Sequence, residues 1–145
     1  MLRRICVAAA AAGVLLGVTV PAHAADSDRP ARTVAWAAAY GTASAGGERW
    51  TEPGGTGFST DLVVLGKLSN TGEGCYSLWT RFTFDLAPGL VRKQAEVCGP
   101  GTVDVDLRQR YQLTTTGSLT VCRGTENAED CAPWQSITSW PISRY

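Results

Sequence analysis

Asp104 and Asp106 are the two carboxylates best spaced to act together. They stand two residues apart in a run of alternating polarity. An extended chain therefore puts both on one face, with their Cα atoms about 6.5–7 Å apart. Carboxylates at such separations can hydrolyse a glycosidic bond or hold a hard cation such as Ca²⁺. Arg108 and Arg110 follow on the same face. A solvated face laced with opposite charges accounts for all four residues without any reaction. Glu126, Glu129 and Asp130, with Asn127, gather oxygen ligands in one short stretch. Their spacing does not match an EF-hand, and a polar surface turn is the better reading. Gly54-Gly55-Thr56-Gly57 lacks the Lys-Ser/Thr of a phosphate-binding loop and the strand-then-helix setting such a loop needs, so it reads as a turn.

Other chemistries are closed by residue type. The one histidine, His23, lies in an N-terminal stretch built like a cleaved secretory signal. Met1-Leu2-Arg3-Arg4 is basic, Ile5 to Val20 is apolar but short for a bilayer span, and Ala22 and Ala24 offer the small residues of a cleavage site. Residues 1–24 are therefore expected to be removed and the remaining chain secreted to the extracellular side. Taking those 24 from 145 leaves 121 residues with no imidazole. That rules out a Ser-His-Asp triad, a Cys-His dyad and a His-ligated zinc. Cys6 leaves with the signal, and four cysteines remain, which an oxidising compartment would join as two disulfides. With no free thiol, catalysis would fall to carboxylates, to Lys67 or Lys93, or to an oxygen-bound metal. No cofactor is expected.

Charge and hydropathy narrow the partners. Without Arg3 and Arg4, 11 basic residues face 13 acidic ones, a formal charge of −2. No Lys/Arg cluster exceeds Arg92-Lys93, so nucleic acid, which needs a basic face, is not expected as a partner. No second apolar run reaches spanning length, and no membrane is expected to hold the chain after cleavage. The Ala-, Gly- and Thr-rich composition resembles that of proteins exported by high-GC Gram-positive bacteria, with no motif behind the likeness.

The elements that must position these residues are strands. Val103 to Leu113 puts Val103, Val105, Leu107, Tyr111 and Leu113 on one face and Asp104, Asp106, Arg108, Arg110 and Gln112 on the other, with Gln109 a misfit. Asp61–Ser69, Cys75–Phe84, Val91–Cys98 and Gly117–Cys122 are further runs between Gly/Pro punctuation, and Val34–Tyr40 alternates with small residues. Thr42 to Gly57, rich in glycine, reads as loop. No helical period persists. The expectation is an all-β chain, a small antiparallel β-sandwich or open barrel. It divides into a signal (1–24), a Gly/Ala-rich and partly looped N-terminal segment (25–57) and a disulfide-braced β domain (58–145).

Register argues the disulfides. If Cys75–Phe84 and Val91–Cys98 form a hairpin with Phe84 opposite Gly89, then Tyr76, Leu78 and Phe82 meet Val97, Ala95 and Val91 on one apolar face. Cys75 then meets Cys98 on the other face. Two flaws remain: Lys93 lands on the apolar face opposite Thr80, and Arg81 faces Arg92. Cys122 and Cys131 flank an eight-residue polar stretch that a local clamp closes easily. Cys75–Cys98 and Cys122–Cys131 are therefore the expected pairs.

Five tryptophans are a surplus for such a chain. Most belong in a core, since a buried indole removes a large apolar area from water. The hairpin register puts Trp79 on the face away from Tyr76, Leu78 and Phe82, beside Gln94, Arg81 and Glu96. There it would stack on a sugar or anchor a protein. The plainer reading is that Trp79 covers the Cys75–Cys98 disulfide or is itself covered. Three functions follow in order of expectation. The first is a non-catalytic binding module for carbohydrate, cell wall or extracellular protein, using Trp79, Gln94, Arg81 and Glu96. The second is a protease-inhibitor-like or toxin-like protein presenting Asp85–Leu90 or Arg123–Asp130. The third is a small hydrolase using Asp104 and Asp106.

Overall fold

Alternating polarity in the chain becomes two antiparallel sheets around a shared core. The computed structural model describes residues 32–55 and 57–140, so the signal-like stretch lies outside the described residues. In chain order the strands are β1 (Val34–Tyr40), β2 (Ala43–Pro53), β3 (Thr60–Asn70), β4 (Cys75–Phe84), β5 (Ala87–Pro88), β6 (Arg92–Cys98), β7 (Gly101–Tyr111), β8 (Thr116–Arg123) and β9 (Gln135–Ser136). The first sheet has the order β1-β2-β3-β7. In the second, β4 is central, with β5 and β6 along one side and β8 then β9 along the other. Leu62, Val64 and Leu68 of β3 and Val105 and Leu107 of β7 meet Tyr76, Leu78 and Phe82 of β4 and Leu119 and Val121 of β8 in one buried cluster.

The stretch expected to be a loop, Thr42 to Gly57, is instead mostly the eleven-residue strand β2. Its Gly47 lets the β3 backbone come close, since a Cβ there would sit 1.9 Å from the Leu65 oxygen. Trp36, Gly47, Gly66 and Val105 form one row across the first sheet, and the Trp36 ring lies over Gly66. Its Nε1 donates to the Leu65 carbonyl at 3.1 Å and to the Glu48 carbonyl at 3.3 Å. A Cβ on Gly66 would sit 2.6 Å from the Trp36 ring and 2.3 Å from the Gly46 oxygen. Glycine inside a strand here marks a close approach, not a break. β1 pairs with β2 and β2 with β3, and residue 57 lies in the β2–β3 connection.

The disulfides are Cys75–Cys98 and Cys122–Cys131. The β4–β6 register begins as expected, with Cys75, Tyr76 and Leu78 opposite Cys98, Val97 and Ala95. It then slips at a bulge between Leu78 and Trp79, so Trp79 faces Lys93 and Thr80 faces Arg92. The slip removes both flaws of the unbulged hairpin. Lys93 leaves the apolar face, and Arg81 no longer opposes Arg92. A bulge of this kind re-aims side chains, and Gln94, the extra residue, donates to Thr80 Oγ1 at 2.7 Å.

One charge sits inside. Arg49 lies on the inward face of β2, opposite Val64, and is only 4 % exposed. It holds the C-terminal segment: its guanidinium donates to the Ile137 carbonyl and, at 2.6 Å, to the Ser139 carbonyl. The guanidinium also lies 4.8 Å from the centre of the Trp140 ring. Burial pulls the Arg49 pKa below its ordinary value. Trp140 Nε1 donates to Tyr111 Oη at 3.0 Å, which closes the segment against β7.

Gly66→Ala is expected to cost about 1–3 kcal/mol, the range for overpacking a filled site. Gly55→Ala, whose Cβ would meet nothing within 4 Å, should change stability by less than about 0.5 kcal/mol. Urea midpoints of the two variants check the pair. Equal midpoints would refute the account of the glycine row.

Candidate functional site

The four residues expected to form an aromatic contact differ in their surroundings. Trp79 is on the outward face of the second sheet, as its register implies, but it is only 9 % exposed. The disulfide-clamped segment after β8 is tied across that face. Ser77 donates to the Gly124 carbonyl at 2.6 Å, Thr120 to the Ala132 carbonyl at 2.7 Å, and Trp79 Nε1 to Ser77 Oγ at 2.7 Å. Gln94 turns to Thr80. Glu96 pairs with Lys93, whose ammonium also donates to the Thr125 carbonyl at 3.0 Å. Arg81, like Glu96, stays open to solvent. It donates to Ser118 Oγ at 3.0 Å and lies 4.3 Å from the centre of the Trp134 ring. An open groove of about 390 Å³ runs beside it, lined by Arg81, Thr83, Pro88, Thr116, Ser118 and Ser136.

The acidic candidates are also spread out. Asp104 bonds Lys67 across the strands at 2.5 Å, and Glu52 takes a hydrogen bond from Trp50 and pairs with Arg108. Asp106 is exposed on the same outward face. Asp130 accepts from Tyr40 Oη and lies 4.0 Å from Arg123 Nε. Among the described residues no three acidic, histidine or cysteine side chains are grouped to hold a metal, Glu126, Glu129 and Asp130 included. The Asp130 hydrogen bond raises the Tyr40 pKa above its ordinary 10.0. Tyr76 is pulled below the same value by hydrogen bonding with Thr42 and then Arg123.

The feature that sequence reasoning missed is at one end of the two sheets. Thr60 pairs with Tyr111, and Thr83 with Thr116, so the β2–β3, β4–β6 and β7–β8 connections emerge together. Thr114 Oγ1 donates to Asp85 there and ties two of the three. On these connections and the strand residue beside them lie all the large exposed apolar side chains among the described residues: Phe58, Phe84, Leu86, Leu90, Val91 and Leu113. Leu86 is 94 % exposed, Leu113 99 % and Phe58 102 %. Leu113 was expected on the apolar face of a strand, but β7 ends at Tyr111 and leaves it in the turn.

Leu86 is also strained. Phe84 pairs with Ala87, which leaves Asp85-Leu86 as a two-residue turn with φ of 46° and 68°. Such turns favour Asn or Asp followed by Gly. Asp85 suits its place, whereas leucine in the left-handed region pays a steric cost of about 1–2 kcal/mol. An apolar side chain both strained and left in water is where a ligand contact is to be sought. Compared with protein families, with curated proteins and with solved structures, the chain matches none.

Leu86→Gly should therefore raise stability by up to about 1 kcal/mol, the relief of strain less the greater freedom of an unfolded glycine. A lower urea midpoint would refute the strain. In alkaline titration followed by tyrosinate absorbance, Asp130→Asn should bring Tyr40 down toward 10.0, and Arg123→Ala should bring Tyr76 up. The signs of their stability contributions are opposite. The raised Tyr40 contributes below the unfolded value and loses its contribution as pH climbs through its folded pKa. The lowered Tyr76 contributes above the unfolded value and loses its contribution as pH falls through its folded pKa.

Proposed function

We propose that this chain is a secreted, non-catalytic binding module, a small disulfide-braced β-sandwich that contacts its ligand with the loop end carrying Leu86. The observation that carries this reading is the segregation of every large exposed apolar side chain among the described residues to that end. Scattered surface leucines need no cause, but large apolar side chains gathered at one end mark an interaction site. The residues able to do acid–base chemistry support catalysis less. Asp104, Lys67, Lys93 and Glu96 are engaged in ion pairs on open surface.

Carbohydrate, cell-wall polymer and extracellular protein remain the ligand classes to compare. The exposed set is mainly aliphatic, and aliphatic knobs suit an apolar partner better than a sugar face. An inhibitor-like reading draws less support. The Asp85-Leu86 turn is tight, whereas an extended segment is what pairs with another protein's strand edge. The groove beside Arg81 and Trp134 favours one second reading, a polysaccharide subsite on the second sheet.

Co-sedimentation with insoluble cell-wall polysaccharide, with phospholipid vesicles and with immobilised extracellular proteins separates these readings. The protein should bind at least one of them. Leu86→Ser combined with Leu113→Ser should weaken that binding by at least about tenfold, since burying one leucine is worth about 1.5–3 kcal/mol. Polysaccharide binding lost in Trp134→Ala and kept in the leucine double variant would favour the second reading. Binding to none would overturn both.

A further inference from the structure

We infer that the loop end docks on the headgroup–hydrocarbon boundary of a phospholipid bilayer; this rests on the binding reading above and names its partner. Three observations point to lipid and away from a protein pocket. First, Phe58, Leu86 and Leu113 protrude almost completely from three separate connections. A protein partner would need a matched pit for each, while an acyl phase closes around all three without one. Second, the connections hold their own polar groups. Gly54 N–H donates to the Ser59 carbonyl at 2.7 Å, and Gly57 N–H to the Gly54 carbonyl at 2.9 Å. Gly89 N–H donates to the Phe82 carbonyl at 2.8 Å, and Thr115 N–H to the Gln112 carbonyl at 2.9 Å. Gln112 N–H donates to Thr115 Oγ1 at 3.0 Å, and Thr114 Oγ1 to Asp85. Each loop group bonded within the protein lowers the cost of entering a water-poor phase.

Third, charge sits where phosphates would lie. Arg92 directly follows Val91 at the start of β6, and Arg110 stands three residues before Leu113. Both are exposed, and neither has an ion pair among the described residues, although Arg110 has Asp61 as its cross-strand neighbour. Of the acidic groups near the tips, Asp85 accepts from Thr114 and Glu52 from Trp50 and Arg108, which leaves Asp61 as the carboxylate facing Arg110. A guanidinium one to three residues behind an apolar side chain meets the lipid phosphate as that side chain reaches the first methylenes. Such contact is reversible. A few inserted side chains give a partition constant on the order of 10⁴ M⁻¹, comparable to one acyl anchor.

Sedimentation with sucrose-loaded vesicles tests this, using phosphatidylcholine alone and phosphatidylcholine mixed with phosphatidylglycerol. The protein should bind both. Leu86→Ser and Leu113→Ser should each weaken binding about tenfold on both, with urea midpoints showing that the variants stay folded. Arg92→Gln with Arg110→Gln should weaken binding more on the mixed vesicles, and Asp85→Asn should strengthen it. Failure to sediment with either vesicle overturns the proposal. So does binding that requires phosphatidylglycerol and survives the leucine substitutions, which is adsorption by charge. A protein that ignores vesicles but loses an immobilised protein ligand in Leu86→Ser keeps the binding reading and discards the bilayer.

Discussion

The alignment of β4 with its neighbours is the constraint on which the functional end depends. At one end of the strand Cys75 is locked to Cys98, which fixes Tyr76 and Leu78 against Val97 and Ala95. Continued without a break, that register would carry Lys93 into the core side. The bulge at Gln94 absorbs one residue and sends Lys93 out to Glu96. Beyond it Thr83 and Phe84 pair with Pro88 and Ala87, which leaves only Asp85 and Leu86 to reverse the chain. A two-residue reversal between right-twisting strands takes positive φ at both positions. The steric cost at Leu86, and its projection into solvent, thus follow from the pairing of Phe84 with Ala87 beside it.

The outward face of the second sheet shows the same dependence on long-range pairing. Ser77, Thr120 and Cys122 are fully buried there although they point away from the core between the sheets. The segment closed by Cys122–Cys131 supplies carbonyls that accept from Ser77 and Thr120. Trp79 is enclosed in the process. A disulfide spanning nine positions limits how far that segment strays in the unfolded chain, which favours its return over the sheet. The clamp's tip meanwhile reaches the opposite sheet, where Asp130 accepts from Tyr40 of β1.

Much of this was legible in the sequence where polarity alternates and sulfurs must pair. The all-β character, the bounds of β1 and β4, the alternating faces of β7 and both disulfides follow from period and register. β2 did not, because Gly46 and Gly47 read as punctuation, when the close approach of the neighbouring β3 backbone, eighteen or more residues later in the chain, explains Gly47. Trp79 was placed on the correct face, but its burial depends on a segment more than forty residues later. Leu113 was counted as the last inward residue of its strand because the pattern continues. Pairing stops at Tyr111, where β3 begins opposite it, and no local signal marks that end.

The same reasoning explains why a hydropathy reading finds only the N-terminal apolar run. Phe58, Leu86, Leu90 and Leu113 are separated by 28, 4 and 23 positions and sit among Gly, Ser, Thr and Asp, so no window averages them into an apolar stretch. Only the pairing of Thr60 with Tyr111 and of Thr83 with Thr116 brings their connections to one end. A folded chain that buried these side chains in its own core would be more stable, and one that replaced them with polar residues would be more soluble. The fold does neither, and it holds one of them in a backbone conformation that leucine disfavours. Hydrophobic burial of such side chains is worth most where a second phase or surface takes them out of water. Of the cost carried by the free protein, the part due to apolar surface in water is what covering the loop end would return, while the backbone strain at Leu86 would remain.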